Sequence, residues 1–144
     1  MRVYTDGQLE RYLNHIGFEP SNVSQLRELT RSAAHSEMTL TRLQRLHMAR
    51  VPFETAALYY STDPKISLDP QHLFQKIVIQ GRGGIWFELN TFFAAVMLSL
   101  DYKLYSAGAR LIALQPEAQA QTATYGSWFV PLPFPRSLCL VPIA

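Results

Sequence analysis

The chain has 144 residues, 48% of them hydrophobic and 17% charged, with 7 Tyr, 8 Phe and 2 Trp. That is enough apolar material for one packed domain, and too apolar with too little net charge for wholesale disorder. The formal charge of +2, with 13 Lys and Arg scattered along the chain, excludes a nucleic-acid footprint. The single cysteine, Cys139, excludes an intrachain disulfide and a Cys-rich zinc site and fits a reducing compartment.

In chain order, Leu9, Tyr12, Leu13 and Ile16 have helical spacing and stop at Gly17, with Asp6 as the expected N-cap. Val23, Leu26 and Leu29 continue the spacing after Pro20, capped by Ser21 or Asn22. A third helix is expected after Thr39, with Leu40, Leu43, Leu46 and Met48 near one face. It should end before Pro52, because a residue preceding proline is pushed out of the α region. Asp69-Pro70 is a helix start, a cap followed by proline at the first helical position. That helix should run through Leu73, Phe74 and Ile77 and end ahead of Gly81. Asn90 or Thr91 is expected to cap another helix carrying Phe92, Phe93, Val96, Met97 and Leu100.

After Asp101 the residues from Tyr102 to Ile112 alternate and read as one strand. Residues 116–124, rich in Gln, Ala and Thr, read as a solvated connector. Four of the nine prolines lie in the segment 129–144. Those at 131, 133 and 135 argue against a helix and a central strand there. No segment approaches the roughly 18 apolar residues of a membrane span, and Met1–Gly7 lacks the apolar run of a signal peptide. A cytoplasmic protein without a membrane or nucleic-acid partner is the expectation.

Few groups promise chemistry. Gly81-Arg82-Gly83-Gly84 ahead of a helix suits an anion-binding turn, but lacks the spacing of a Walker or dinucleotide loop. A plain turn is the stronger reading. His15, His35, His47 and His72 show no metal-ligand spacing and are expected at the surface or at helix ends, with no metal site. Glu54 and Glu88 are acid/base candidates that nothing in the sequence pairs. Tyr59, Tyr60, Phe74, Phe87, Phe92 and Phe93 are expected in the core.

Three segments carry more information together: Leu46-His-Met-Ala-Arg-Val51-Pro52-Phe53-Glu54, Ser67 through Val78, and Arg82-Gly83-Gly84-Ile85-Trp86-Phe87-Glu88-Leu89-Asn90. With Thr91-Phe-Phe and Tyr105-Ser-Ala-Gly-Ala-Arg110, they resemble the arylamine N-acetyltransferase family, most closely its fungal-type branch, over residues 1–128.

The resemblance implies acetyl transfer from acetyl-coenzyme A to a cysteine thiolate and then to an arylamine or hydrazine nitrogen. A histidine and an aspartate complete the family's triad. The family's cysteine stands two residues after the paired glycines; here that position is Trp86. Arg82, Gly83, Gly84, Glu88 and Asn90 surround it, and Val51, Pro52 and Phe53 are the expected cleft lining. Where related members continue Gly-x-Trp with Thr-His, this chain has Gly126-Ser127-Trp128 and then Phe129-Val130. The aspartate has no counterpart before Ala144.

The expectation is thus a truncated member without its triad, needing no cofactor, with acetyl-coenzyme A only the family's co-substrate. Its fold would be mainly α with one or two strands opening an incomplete barrel, an α+β chain. A helical domain would span 1–100, the start of a barrel 101–128 and a divergent tail 129–144. The alternative is a non-enzymatic protein that pairs with a full-length paralogue, or with itself, through an exposed strand edge.

Overall fold

The computed structural model describes residues 2–19, 21–60, 62, 65–106, 109–111, 124–126, 130–131 and 137–140. It is a mainly α-helical domain. Helix α1 (Asp6–Ile16) is capped by Thr5 rather than Asp6. The Thr5 side chain accepts from the Gln8 amide, and the Gln8 side chain accepts from the Thr5 amide. This reciprocal box satisfies two otherwise orphaned donors and frees Asp6 to bind Arg27. The helix ends at Gly17, whose φ of 72° is the left-handed conformation that glycine adopts without steric cost.

Helix α2 (Val23–Arg31) is capped by Asn22, which accepts from the Gln25 amide. Helix α3 (Ala33–Arg50) starts seven residues before the point expected from the sequence. Ser32 ends α2 and begins α3 at once, and its hydroxyl pairs with the His35 ring instead of capping a backbone amide. The helix stops ahead of Pro52, as its sequence requires. Leu43 is fully buried, Leu40 and Leu46 pack partly against the core, and Met48 is exposed. A short helix, α4 (Ala56–Tyr60), was not anticipated.

Helix α5 (Pro70–Phe74) begins at the Asp69 cap, whose carboxylate accepts from the His72 amide at 2.8 Å. It passes directly into a π-helical stretch, Gln75–Ile79. Helix α6 (Trp86–Ser99) begins five or six residues earlier than Asn90 or Thr91 would have set it. Tyr12, Leu13, Leu26, Leu43, Leu73, Ile77, Phe92, Val96, Met97 and Leu100 form one core from all the longer helices. Each such side chain contributes about 1.5–3 kcal/mol of burial free energy. Of the aromatic residues assigned to the core, Phe74, Phe92 and Phe93 are there; Tyr59, Tyr60 and Phe87 are exposed, on α4 and the first turn of α6.

The two ends of the helical part are fastened to each other. Ser99 Oγ accepts from the Val3 and Tyr4 amides at 3.0 and 2.9 Å and donates to the Ala95 carbonyl. Arg27, buried between them, binds Asp6 through two nitrogens at 3.0 and 2.7 Å and the Ser99 carbonyl at 3.1 Å. Its guanidinium holds the Asp6 carboxyl below the usual range.

The strand read over 102–112 is two strands, β1 (Lys103–Ser106) and β2 (Ala109–Leu111). Further on are β3 (Thr124–Gly126), β4 (Val130–Pro131) and β5 (Ser137–Leu140). β2 pairs antiparallel with β3; β5 lies between β1, parallel to it, and β4, antiparallel. The last segment therefore supplies a central strand, contrary to expectation. The proline rule still holds locally: β5 contains none, and Pro131 is on the edge strand. Among the described residues these pairings close no barrel. The connector read over 116–124 lies, except for Thr124, outside the described residues.

Candidate functional site

The site is built where the chain leaving α3 meets the glycine turn ahead of α6. Pro52 ends the helix, and Phe53 forms an isolated parallel bridge with Gly84. The Gly84 amide donates to the Pro52 carbonyl at 3.3 Å, and the Glu54 amide donates to the Gly84 carbonyl at 3.0 Å. Gly83 is required by space, and a side chain at Gly84 would displace Glu88. A Cβ at Gly83 would lie 1.8 Å from the Pro52 carbonyl oxygen, and one at Gly84 would lie 2.7 Å from Glu88 Oε2.

Each carboxylate singled out in the sequence has a cationic partner. Arg82 donates to Glu54 at 2.8 Å across the surface of the bridge. Glu88 is buried and receives both of its oxygens' contacts from Lys76 Nζ, at 2.9 and 2.8 Å. Glu88 also accepts from the Ile85 amide at 3.0 Å, so it caps α6 from inside the first turn. This explains why that helix starts without a Ser, Thr, Asp or Asn: the capping oxygen comes from the third helical residue, and favours the positive end of the helix.

Trp86 is the first residue of α6. Its ring is stacked on that of Phe53, with centroids 5.8 Å apart and planes at 29°. Its carbonyl accepts from the Asn90 side chain at 2.8 Å. Val51 is buried in the core, whereas Pro52 and Phe53 are exposed. The turn's own groups take up amides that an anion would need. The amides of Arg82, Gly84 and Ile85 donate to Lys76, Pro52 and Glu88, respectively, and a carboxylate already occupies the helix start.

The structure also brings in residues that the sequence reading overlooked. His47, expected at a helix end or the surface, is at the end of α3 but buried. Its Nδ1 is 3.1 Å from the Tyr12 hydroxyl, and its ring packs on Phe92 and Phe93. Burial, reinforced by His15, brings its pKa down to about 4. The spacing Leu40, Leu43, His47 on one helical face was the available signal. His35 and His72 are exposed. Among the described residues no group of His, Cys, Asp and Glu could hold a metal ion, and no described helix is long and apolar enough to cross a membrane. The side chain of Cys139 and the Ser127–Phe129 segment lie outside what is described.

Residues 38–132 match a family model described as N-acetyltransferase. The match takes in α3 from Met38 onward, the glycine turn and α6. Similar proteins include the N-malonyltransferase FDB2 of Fusarium pseudograminearum, 36% identical over 133 residues (87% of this chain and 39% of that protein). FDB2 of Gibberella moniliformis is 31% identical over 135 residues (87% and 39%). The pineal gland isozyme NAT-10 of arylamine N-acetyltransferase from Gallus gallus is 30% identical over 117 residues (81% and 36%). The chain belongs to the N-acetyltransferase family, for which acetyl-coenzyme A is the co-substrate. It spans about two fifths of the length of these relatives.

Proposed function

We propose that this chain is an arylamine N-acetyltransferase-like protein that no longer transfers an acyl group. The observation that carries this reading is Trp86. It stands two residues after Gly84 at the start of α6, with its ring stacked on Phe53. Acyl transfer through the enzyme needs a nucleophile there. Indole offers only an N–H donor, and its bulk fills the space in which a thioester would form. The surrounding pairs, Arg82 with Glu54 and Glu88 with Lys76, keep the turn in place without the chemistry. The strands from Lys103 onward are read as the opening of a β-rich domain.

The test is acyl transfer by the purified chain from acetyl- or malonyl-coenzyme A to an arylamine; malonyl is included because FDB2 is named for it. The expected rate equals that of buffer, and a clear rate refutes the reading. Trp86→Cys alone is not expected to restore transfer, since Phe129 and Val130 stand where the family's histidine is expected.

A second reading, an interaction protein that pairs with a full-length paralogue, is favoured by exposed aromatic side chains near the same turn. Phe53, Tyr59, Tyr60 and Phe87 are 52%, 78%, 91% and 58% exposed. Exposed apolar patches mark interaction sites, and Tyr59 and Tyr60 are neighbours on α4. Co-purification with a full-length relative, lost when Tyr59 and Tyr60 are changed to serine, would support it.

A further inference from the structure

Lys76 is held in an unusual way for a lysine: its side chain is buried, and it lies in a π-helical stretch rather than an α-helix. Such stretches insert an extra residue in a turn and recur at functional positions. Two separate contacts run from this one residue to the segment around Trp86. The Lys76 carbonyl accepts from the Arg82 amide at 3.1 Å, where the glycine turn begins. The Lys76 ammonium binds both oxygens of Glu88, beyond Trp86. Glu88 in turn holds the Ile85 amide and lies against Gly84, its Oε2 2.7 Å from where a Cβ would stand.

We infer that Lys76 is the positioning residue for the side chain at position 86: it grips the segment on both sides and fixes it at the start of α6. The inference rests on the reading that residues 82–90 keep the geometry of a turn that once presented a nucleophile. It adds the residue that enforces that geometry. Within this arrangement Glu88 contributes no net charge next to position 86, because the lysine neutralises it. A buried cation without its carboxylate, or the reverse, would be strongly unfavourable, so the two act as one unit.

The test uses a thiol as a reporter at position 86, in the full chain carrying Trp86→Cys and Cys139→Ser, alkylated with iodoacetamide across pH. A thiol held at a helix start ionises below about 7.5, against about 8.5 for a free cysteine. Adding Lys76→Met should move the alkylation profile up by about one pH unit or more, because the carboxylate loses its partner and the turn its clasp.

If Lys76→Met does not fold, Lys76→Met with Glu88→Leu leaves no buried charge and should fold with a profile near that of a free thiol. A profile unmoved by either Lys76 change, or an unshifted thiol in the parent variant, overturns the inference. A second readout uses the native residue: in a chain with Trp128→Phe, Lys76→Met should shift Trp86 emission to longer wavelength. Neither readout depends on acyl transfer, so an active chain would refute the proposed function and leave this result standing.

Discussion

Replacing Gly83 with alanine tests the most tightly packed contact of the turn. The new Cβ would sit 1.8 Å from the Pro52 carbonyl oxygen and 2.7 Å from its carbon, so backbone must separate from backbone. The Phe53–Gly84 bridge then opens, with loss of the two hydrogen bonds that flank it, about 1 kcal/mol each. The Phe53–Trp86 stack is displaced with it, about 0.5–1.5 kcal/mol more. The surface pair Arg82–Glu54 adds little. Alanine stiffens the unfolded chain, which returns about 0.4–1 kcal/mol. The net expectation is a destabilisation of about 2–3 kcal/mol. In urea unfolding followed by circular dichroism, the midpoint should fall by about 1 M or more at unchanged slope. Gly7→Ala is the control: a Cβ there meets nothing within 4 Å, and alanine favours the helix. A Gly83→Ala chain within about 0.5 kcal/mol of wild type would refute the packing argument.

Two further outcomes are expected. His47 is neutral in the fold, with its pKa lowered by burial from 6.5 to about 4. Stability should therefore be full above pH 6.5 and decline as pH falls towards 4, by on the order of 3 kcal/mol at about 1.4 kcal/mol per unit. His47→Gln should flatten that dependence, and an unchanged slope in the variant would assign the titration elsewhere. Asp69→Ala removes the cap of α5 and should lower stability by about 1 kcal/mol, read as a lower midpoint in a thermal melt.

The parts of this fold that could be read in the sequence were those whose cause is local. Asp69-Pro70, Asn22 and Gly17 act on amides and backbone angles within a turn of themselves, so residue type and position suffice. The start of α3 was missed because Ser32 serves two helices and makes no side-chain cap. The start of α6 was missed for a different reason. Its cap is Glu88 reaching backward, and Glu88 is held there by Lys76, 12 residues earlier. The motif from Arg82 to Asn90 marked the turn ahead of α6, but no periodicity predicts a π-helical turn or the burial of its lysine. His47 was misjudged because residue type outweighed its spacing from Leu43. Exposure of Tyr59 and Tyr60 depends on what α4 packs against, which the neighbouring residues do not encode.

The clasp at Ser99 bears on how the chain acquires its structure. The amides of Val3 and Tyr4 find their acceptor only at residue 99, and Arg27 closes on the carbonyl of the same residue. During synthesis, α1 and α2 emerge long before the serine that secures them. Local helices form in microseconds, but the first segment must wait for nearly a hundred residues to be translated before it docks. Contacts of such sequence separation slow folding, and at about 5–20 residues per second the delay is about 5–20 seconds. Throughout that interval Tyr4 and Tyr12 lack Phe92, the α6 ring on which both pack.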